Sequence, residues 1–219
     1  MKILLTNKYY YPRGGDCNYV IGLEKLLKNN GQEVAVFSMH HDDNLPNIWS
    51  EYWLSPIDFN SKNNLIEAIL RPVYSKEVRE KFTRIIDEFK PDVVHLNNIH
   101  SQISPRIAEI AQKRSIPVIW TLHDYKLLCP RYDCLRDDKP CELCFHNKFN
   151  VIKHNCIKNN YVGSSIGFFE ALKWNKKKLS NITDYYICPS EFMKKKMIQG
   201  GFNESQFVKI SNFFNGYTI

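Results

Sequence analysis

Residues 2–39 open the chain with Lys2-Ile3-Leu4-Leu5-Thr6, then Asn7-Lys8-Tyr9-Tyr10-Tyr11-Pro12-Arg13-Gly14-Gly15-Asp16, then a periodic stretch to Gly31, then Glu33-Val34-Ala35-Val36-Phe37-Ser38-Met39. The first segment is a short apolar run, which fits a buried strand. In the periodic stretch Tyr19, Val20, Leu23, Leu26 and Leu27 recur at i, i+1, i+4, i+7, i+8, which predicts a helix with Asp16 as its cap and Gly31 as its left-handed stop. Residues 33–39 form the next strand. Strand, glycine-containing loop, helix and strand make one βαβ unit, so a parallel sheet is expected.

The remainder repeats that alternation. Val78, Phe82, Ile85, Ile86 and Phe89 mark an amphipathic helix stopped by Pro91. Residues 92–97 read as a strand, 107–111 as part of a helix after Pro105, and 117–122 as a strand. Residues 185–188 are a strand, Ser190 caps a helix over 191–199, and 208–211 is the last strand. The expected fold is α/β, a Rossmann-like doubly wound parallel sheet with helices on both faces. Two stretches interrupt it. Residues 40–74 are irregular and aromatic, and 124–165 are irregular and hold a cysteine cluster. Residues 166–179 read as one basic helix, with Phe168, Phe169, Leu172 and Leu179 on an apolar side and Lys173, Lys176, Lys177 and Lys178 as a cationic end. Its apolar side is expected to face the core, with docking on an anionic membrane surface as the competing reading.

The chain has 219 residues, enough for one sizeable core without staples. Apolar residues make up 43% and charged residues 24%, which excludes a disordered chain. No apolar run approaches the roughly 20 residues of a membrane-spanning helix, and the amino terminus lacks a secretory pattern, so a cytoplasmic location is expected. The net charge is +7. The excess sits beyond residue 120, where 15 basic residues face 9 acidic ones; residues 1–120 hold 15 and 14. A local basic field suits phosphate-bearing partners.

In open α/β sheets ligands bind beyond the carboxyl ends of the strands, which selects the loops worth reading. Arg13-Gly14-Gly15 combines a cation, two small residues and a helix start, an anion-binding arrangement. It is not GxGxxG, and no acid stands at the spacing of a nicotinamide ribose contact, so a dinucleotide enzyme is disfavoured. Asn98 and His100 follow the strand at 92–97, and their side chains can both donate and accept toward hydroxyls. His95 lies within that strand and is read as structural. His123, followed by Asp124, stands at a strand end, where it can hydrogen-bond a sugar hydroxyl or share a proton. Cys129, Cys141, Cys144 and Cys156 have C-x11-C-x2-C-x11-C spacing, which suits a structural zinc, with Cys134, His146 and His154 as spare donors. Free cysteines in a loop are the alternative. Cys17 and Cys188 read as ordinary buried thiols.

With these loops in order, the chain resembles the amino-terminal half of the retaining GT-B glycosyltransferases of family 4. The resemblance rests on Tyr11-Pro12-Arg13-Gly14-Gly15, on Lys90-Pro91-Asp92-Val93-Val94-His95-Leu96-Asn97-Asn98, on Thr121-Leu122-His123-Asp124-Tyr125 and on Pro189-Ser190-Glu191-Phe192-Met193-Lys194. It implies a GT-B amino-terminal, acceptor-binding domain over 1–211, carrying the Cys-rich insert at 124–165, with 212–219 opening an interdomain linker. It also implies a nucleotide-sugar donor whose diphosphate lies near Gly14 and Gly15, and a donor sugar held by His123. A glycan or lipid-linked acceptor would lie against Arg13, Asn98, His100, Asp124 and the aromatic stretch at 40–60. No catalytic metal is expected. A second domain with most of the nucleotide contacts follows in such enzymes, so this fragment alone is expected to be inactive. Two other readings stand beside it: a nucleotide-binding α/β domain acting alone, and a zinc-containing nucleic-acid-binding module. The second lacks any helix-turn-helix or finger pattern, so nucleic acid is a disfavoured partner.

Overall fold

The computed structural model describes residues 1–57 and 70–213. Six strands form one parallel sheet: β1 (Lys2–Thr6), β2 (Glu33–Phe37), β3 (Val93–Leu96), β4 (Val118–Thr121), β7 (Tyr185–Cys188) and β8 (Phe207–Lys209), in the order β2-β1-β3-β4-β7-β8. The expected strands are all present, shifted by two residues or fewer at their ends.

Alternation along each strand feeds two cores. Ile3, Leu5, Val34 and Val36 face α1 (Gly15–Asn29), meeting Val20 and Ile21. Leu4, Ala35, Phe37, Val94 and Leu96 face the other way, onto α2 (Lys76–Phe89) and α3 (Arg106–Gln112). All five apolar positions read for α2 are buried. Helices on both faces make the sheet doubly wound. α1 begins two residues early: Gly14 in extended backbone is its cap and Asp16 sits in its first turn. Gly31, at φ 74°, closes it in the left-handed region as expected.

The stretch from residue 40 is only partly a loop toward solvent. Tyr52 and Trp53 are buried core residues, and Trp53 Nε1 donates to the Val36 carbonyl at 2.8 Å. Arg71, wholly buried, ties this region down. Its Nε donates to the Gln102 carbonyl at 2.8 Å and its Nη1 pairs with Glu77 at 2.7 Å. Phe59, and residues 214–219 of the linker expected over 212–219, lie outside the described residues.

The insert is more ordered than expected. It holds a two-stranded hairpin of β5 (Leu135–Arg136) and β6 (Lys139–Pro140), then short helices α4 (Leu143–His146) and α5 (Asn150–Lys153). The basic helix expected over 166–179 is two helices, α6 (Tyr161–Lys173) and α7 (Lys176–Asn181). Asn175 interrupts them because its side chain caps α7, accepting from the Lys178 amide at 3.1 Å. The orientation of α6 is also reversed. Ser164, Gly167 and Glu170 face inward, while Phe169 is 60% and Leu172 48% exposed. Small residues are needed on the inner face: a Cβ on Gly167 would lie 2.4 Å from Ile157 Cδ1, and Ser164 Oγ accepts from the Ile157 amide. The bulky residues are left on the other side. α8 (Glu191–Gln199) is capped by Ser190, whose Oγ accepts from the Met193 amide at 3.1 Å.

Candidate functional site

The chain leaves β1 toward β2 on one side and returns to β3 on the other, so the strand order reverses between β1 and β3. The crevice beyond their carboxyl ends is where such sheets take ligands. The loops there are laced together. The Lys8 amide donates to the Asn98 carbonyl at 2.8 Å, and the Asn98 amide donates to Asn7 Oδ1 at 3.0 Å.

His123 enters this crevice from the end of β4. Its Nε2 lies 3.0 Å from Asn97 Oδ1, and its ring meets Tyr19 of α1 edge-on at 5.1 Å between centroids. Burial pushes its pKa down to about 4, against a small opposing pull from Asp16, so the ring is neutral at physiological pH. Asp124 is pushed the other way, up to about 6, by burial; its Oδ1 accepts from the Lys126 amide at 2.8 Å. A shallow pocket is lined by Asn97, Asn98, His100, Trp120, His123 and Asp124, among others. Four of the residues singled out in the sequence therefore line one concavity. His100 stacks on Trp120 at 5.5 Å, and burial holds it neutral as well. His95 is structural as expected, buried with Nε2 2.7 Å from Thr121 Oγ1.

The start of α1 borders the same space. Asn18 donates to the Gly14 carbonyl, but the amides of the first turn have no intrahelical acceptors. A Cβ on Gly15 would meet nothing within 4 Å, so open space lies beside this turn. Arg13 lies over Tyr9 at 4.3 Å, and His41 stacks on Tyr11 at 4.5 Å. Lys8 has its pKa lowered, first by burial and then by Arg13, while Asp16 opposes. Of the aromatic stretch, His41 reaches this loop, whereas Tyr52 and Trp53 are core. Lys8, Asp16, Tyr19, Asn97 and Lys126 were not singled out from sequence as site residues. Lys126 pairs with the buried Glu170 at 3.0 Å and donates to the Pro130 carbonyl, fixing the segment after Asp124 to α6. The only sequence signal for Asn97 was its place at a strand end.

A family model of Glycosyltransferase Family 4 matches residues 13–215. This chain belongs to that family. Among relatives of family members, an "Uncharacterized 42.6 kDa protein in cps region" of Klebsiella pneumoniae is 29% identical over 225 residues, covering 94% of this chain and 53% of the relative. The chain thus spans about half the length of that relative. Among solved structures, sucrose-phosphate synthase of Thermosynechococcus elongatus aligns over 96% of this chain and 47% of its own, with a TM-score of 0.55 and 16% identity. The S. aureus MnaA–UDP co-structure aligns over 100% and 50%, with a TM-score of 0.50 and 11% identity. These likenesses show the Rossmann-like fold of the family 4 chain. Glycosyl transfer is the activity type of the family.

In the insert the neighbouring Cys134 and Cys144 thiols favour the Cys129 thiolate and lower its pKa, against the effect of burial. Cys134 stood outside the expected set of Cys129, Cys141, Cys144 and Cys156. Among the described residues no group of three or more His, Cys, Asp or Glu side chains is placed to hold a metal ion. A structural zinc on the four expected thiols is not shown. Cys17 and Cys188 are buried, and burial pushes both thiols up, to about 11 and about 12.

Proposed function

We propose that this chain is the acceptor-side half of a retaining glycosyltransferase that moves a sugar from a nucleotide-sugar donor to a glycan or lipid-linked acceptor. The observation that carries the reading is the open start of α1 at Gly14 and Gly15, bordering the crevice into which His123 projects. The helix's free amides and positive end suit a diphosphate that gains charge as the bond to the sugar breaks. Arg13 and Lys8 add cationic charge beside it. His123, neutral through burial, orients the sugar by a hydrogen bond. Asn98 and His100 offer paired donor and acceptor capacity to acceptor hydroxyls, with Asp124 at the edge of the same pocket. No step of this proposal runs through a metal.

The domain extends over residues 1–211, and a donor-binding domain in the whole protein supplies most nucleotide contacts. The fragment alone then binds acceptor without turning over. An anionic membrane surface is the partner we assign to the outer face of α6, where exposed Tyr161, Val162, Phe169 and Leu172 lie near exposed Lys173 and Lys177. A lipid-linked acceptor would be met there. Among the described residues no helix is long and apolar enough to cross a membrane, so this contact is peripheral.

The test uses the whole protein and its His123→Ala variant, following sugar transfer from a radiolabelled nucleotide sugar. Loss of one hydrogen bond made to the reacting sugar predicts a fall in kcat/KM of about 10- to 100-fold. Unchanged transfer would remove His123 from the site.

A further inference from the structure

Asn97 is 1% exposed, and each end of its side chain has a partner. Its Nδ2 donates to the Thr6 carbonyl at 3.3 Å. That bond turns its Oδ1 toward His123 Nε2, 3.0 Å away. Its backbone carbonyl accepts from Trp120 Nε1 at 2.9 Å, which fixes the residue from a third direction. An amide oxygen can only accept, so the imidazole must donate through Nε2. A neutral imidazole carries one ring proton, so Nδ1 is left with its lone pair. Among the described residues nothing donates to it.

We infer that Asn97 is a positioning residue: it holds His123 as the Nε2–H tautomer, so that the ring meets the ligand as a hydrogen-bond acceptor through Nδ1. This rests on the glycosyl-transfer reading for its ligand, a sugar hydroxyl that donates to Nδ1. It excludes His123 as a proton donor to that hydroxyl. The charged and titratable groups around the ring are Asp16 and Tyr19 from α1, His95 from β3 and Asp124 next in the chain. Asp16 opposes the effect of burial on the ring, and His95, itself buried and neutral, places no charge beside it.

Long-range proton–nitrogen NMR on the full chain with labelled histidine reads the tautomer without any substrate. Wild-type His123 should show a protonated Nε2 and a bare Nδ1 at pH 7. Asn97→Asp places a carboxylate against Nε2–H and should raise the His123 pKa by about 1 unit or more. Asn97→Leu removes the acceptor and should release the tautomer preference. A wild-type Nδ1–H tautomer would overturn the assignment, as would a His123 tautomer and titration unchanged in both variants. The wild-type spectrum decides the tautomer even where a variant fails to fold. In the whole protein, Asn97→Asp should move the acidic limb of the pH–rate profile upward and should cost nothing further in a His123→Ala background. An equal additional loss there would mark Asn97 as merely structural. Because the spectrum needs no turnover, failure of this inference and failure of the glycosyl-transfer reading are separate results.

Discussion

If the outer face of α6 rests on a membrane, Phe169→Ser should weaken vesicle binding without weakening the fold. Phe169 is 60% exposed in the chain alone. A phenylalanine that can bury about 200 Å² therefore has roughly 120 Å² left to offer, worth about 3 kcal/mol if all of it left water. An interfacial helix embeds only part of its face, so about 1.5 kcal/mol is a fair expectation, or roughly tenfold in partition. Adding Leu172→Ser, 48% exposed on the same face, should bring the loss to about 100-fold. The assay is co-sedimentation with vesicles of phosphatidylcholine alone and with added phosphatidylglycerol. Lys173 and Lys177 predict binding mainly to the anionic vesicles, weakened by salt, at about 1 kcal/mol per lysine near the surface. Urea unfolding of the same variants should superimpose on wild type. Equal binding of wild type and double variant would refute the assignment. So would a shared loss of stability, which would mean the face is packed within the protein.

Other consequences follow from burial. Burial pushes the Glu77 carboxyl up, but hydrogen bonds from Arg71 and the Ser55 backbone outweigh it and hold its pKa at about 2. A carboxylate lowered on folding stabilises the native state above its unfolded pKa of about 4.3, and that contribution is lost as pH falls toward 2. Glu77→Gln should therefore cost about 2 kcal/mol at pH 7, after allowance for solvent screening, and should flatten the stability profile between pH 5 and 2; an unchanged profile would count against the pair. Arg71→Met leaves Glu77 charged beside an apolar replacement and should cost about 3–5 kcal/mol, read by urea midpoint. In the insert, Cys129→Ser should destabilise by about 1–2 kcal/mol and Cys141→Ser by under about 0.5, since of the two only Cys129 is buried. Elemental analysis run beside them checks the spacing argument: one zinc per chain, lost equally in both variants, would restore the four-cysteine set.

The sheet was legible because its strands are short, apolar and punctuated. Val93-Val94 and Val118-Ile119 allow no other element beside their proline stops, and α2 carries its whole buried face at helical spacing. The reading failed where one residue type serves two purposes. Asn175 looked like a helix interior but ends one helix and caps the next. Phe169 and Leu172 looked like core, because apolar residues on a helix usually are, whereas Leu179 on the same expected side is buried. The inward face of α6 is instead set by Gly163, Ser164 and Gly167, whose smallness admits the Ile157 turn. Smallness at helical spacing is a weaker pattern than hydrophobicity, and it points to close approach, not to which neighbour approaches.

The site divides along the same line. Arg13, Gly14, Gly15, Asn98, His100, His123 and Asp124 could be chosen because the α/β rule picks strand ends before any contact is known. Asn97 sits at such an end too, yet its function lies in a bond to a residue 26 positions away. Its partner on the other side, the Thr6 carbonyl, is 91 positions away. Nothing local encodes that geometry. It arises because β1, β3 and β4 are adjacent in the sheet, so that Thr6, Asn97 and His123 fall side by side at one edge. The polarity of the His123 hydrogen bond is therefore a property of strand order. A sequence can nominate the histidine, but only the stacking of three strands decides which of its nitrogens bears the proton.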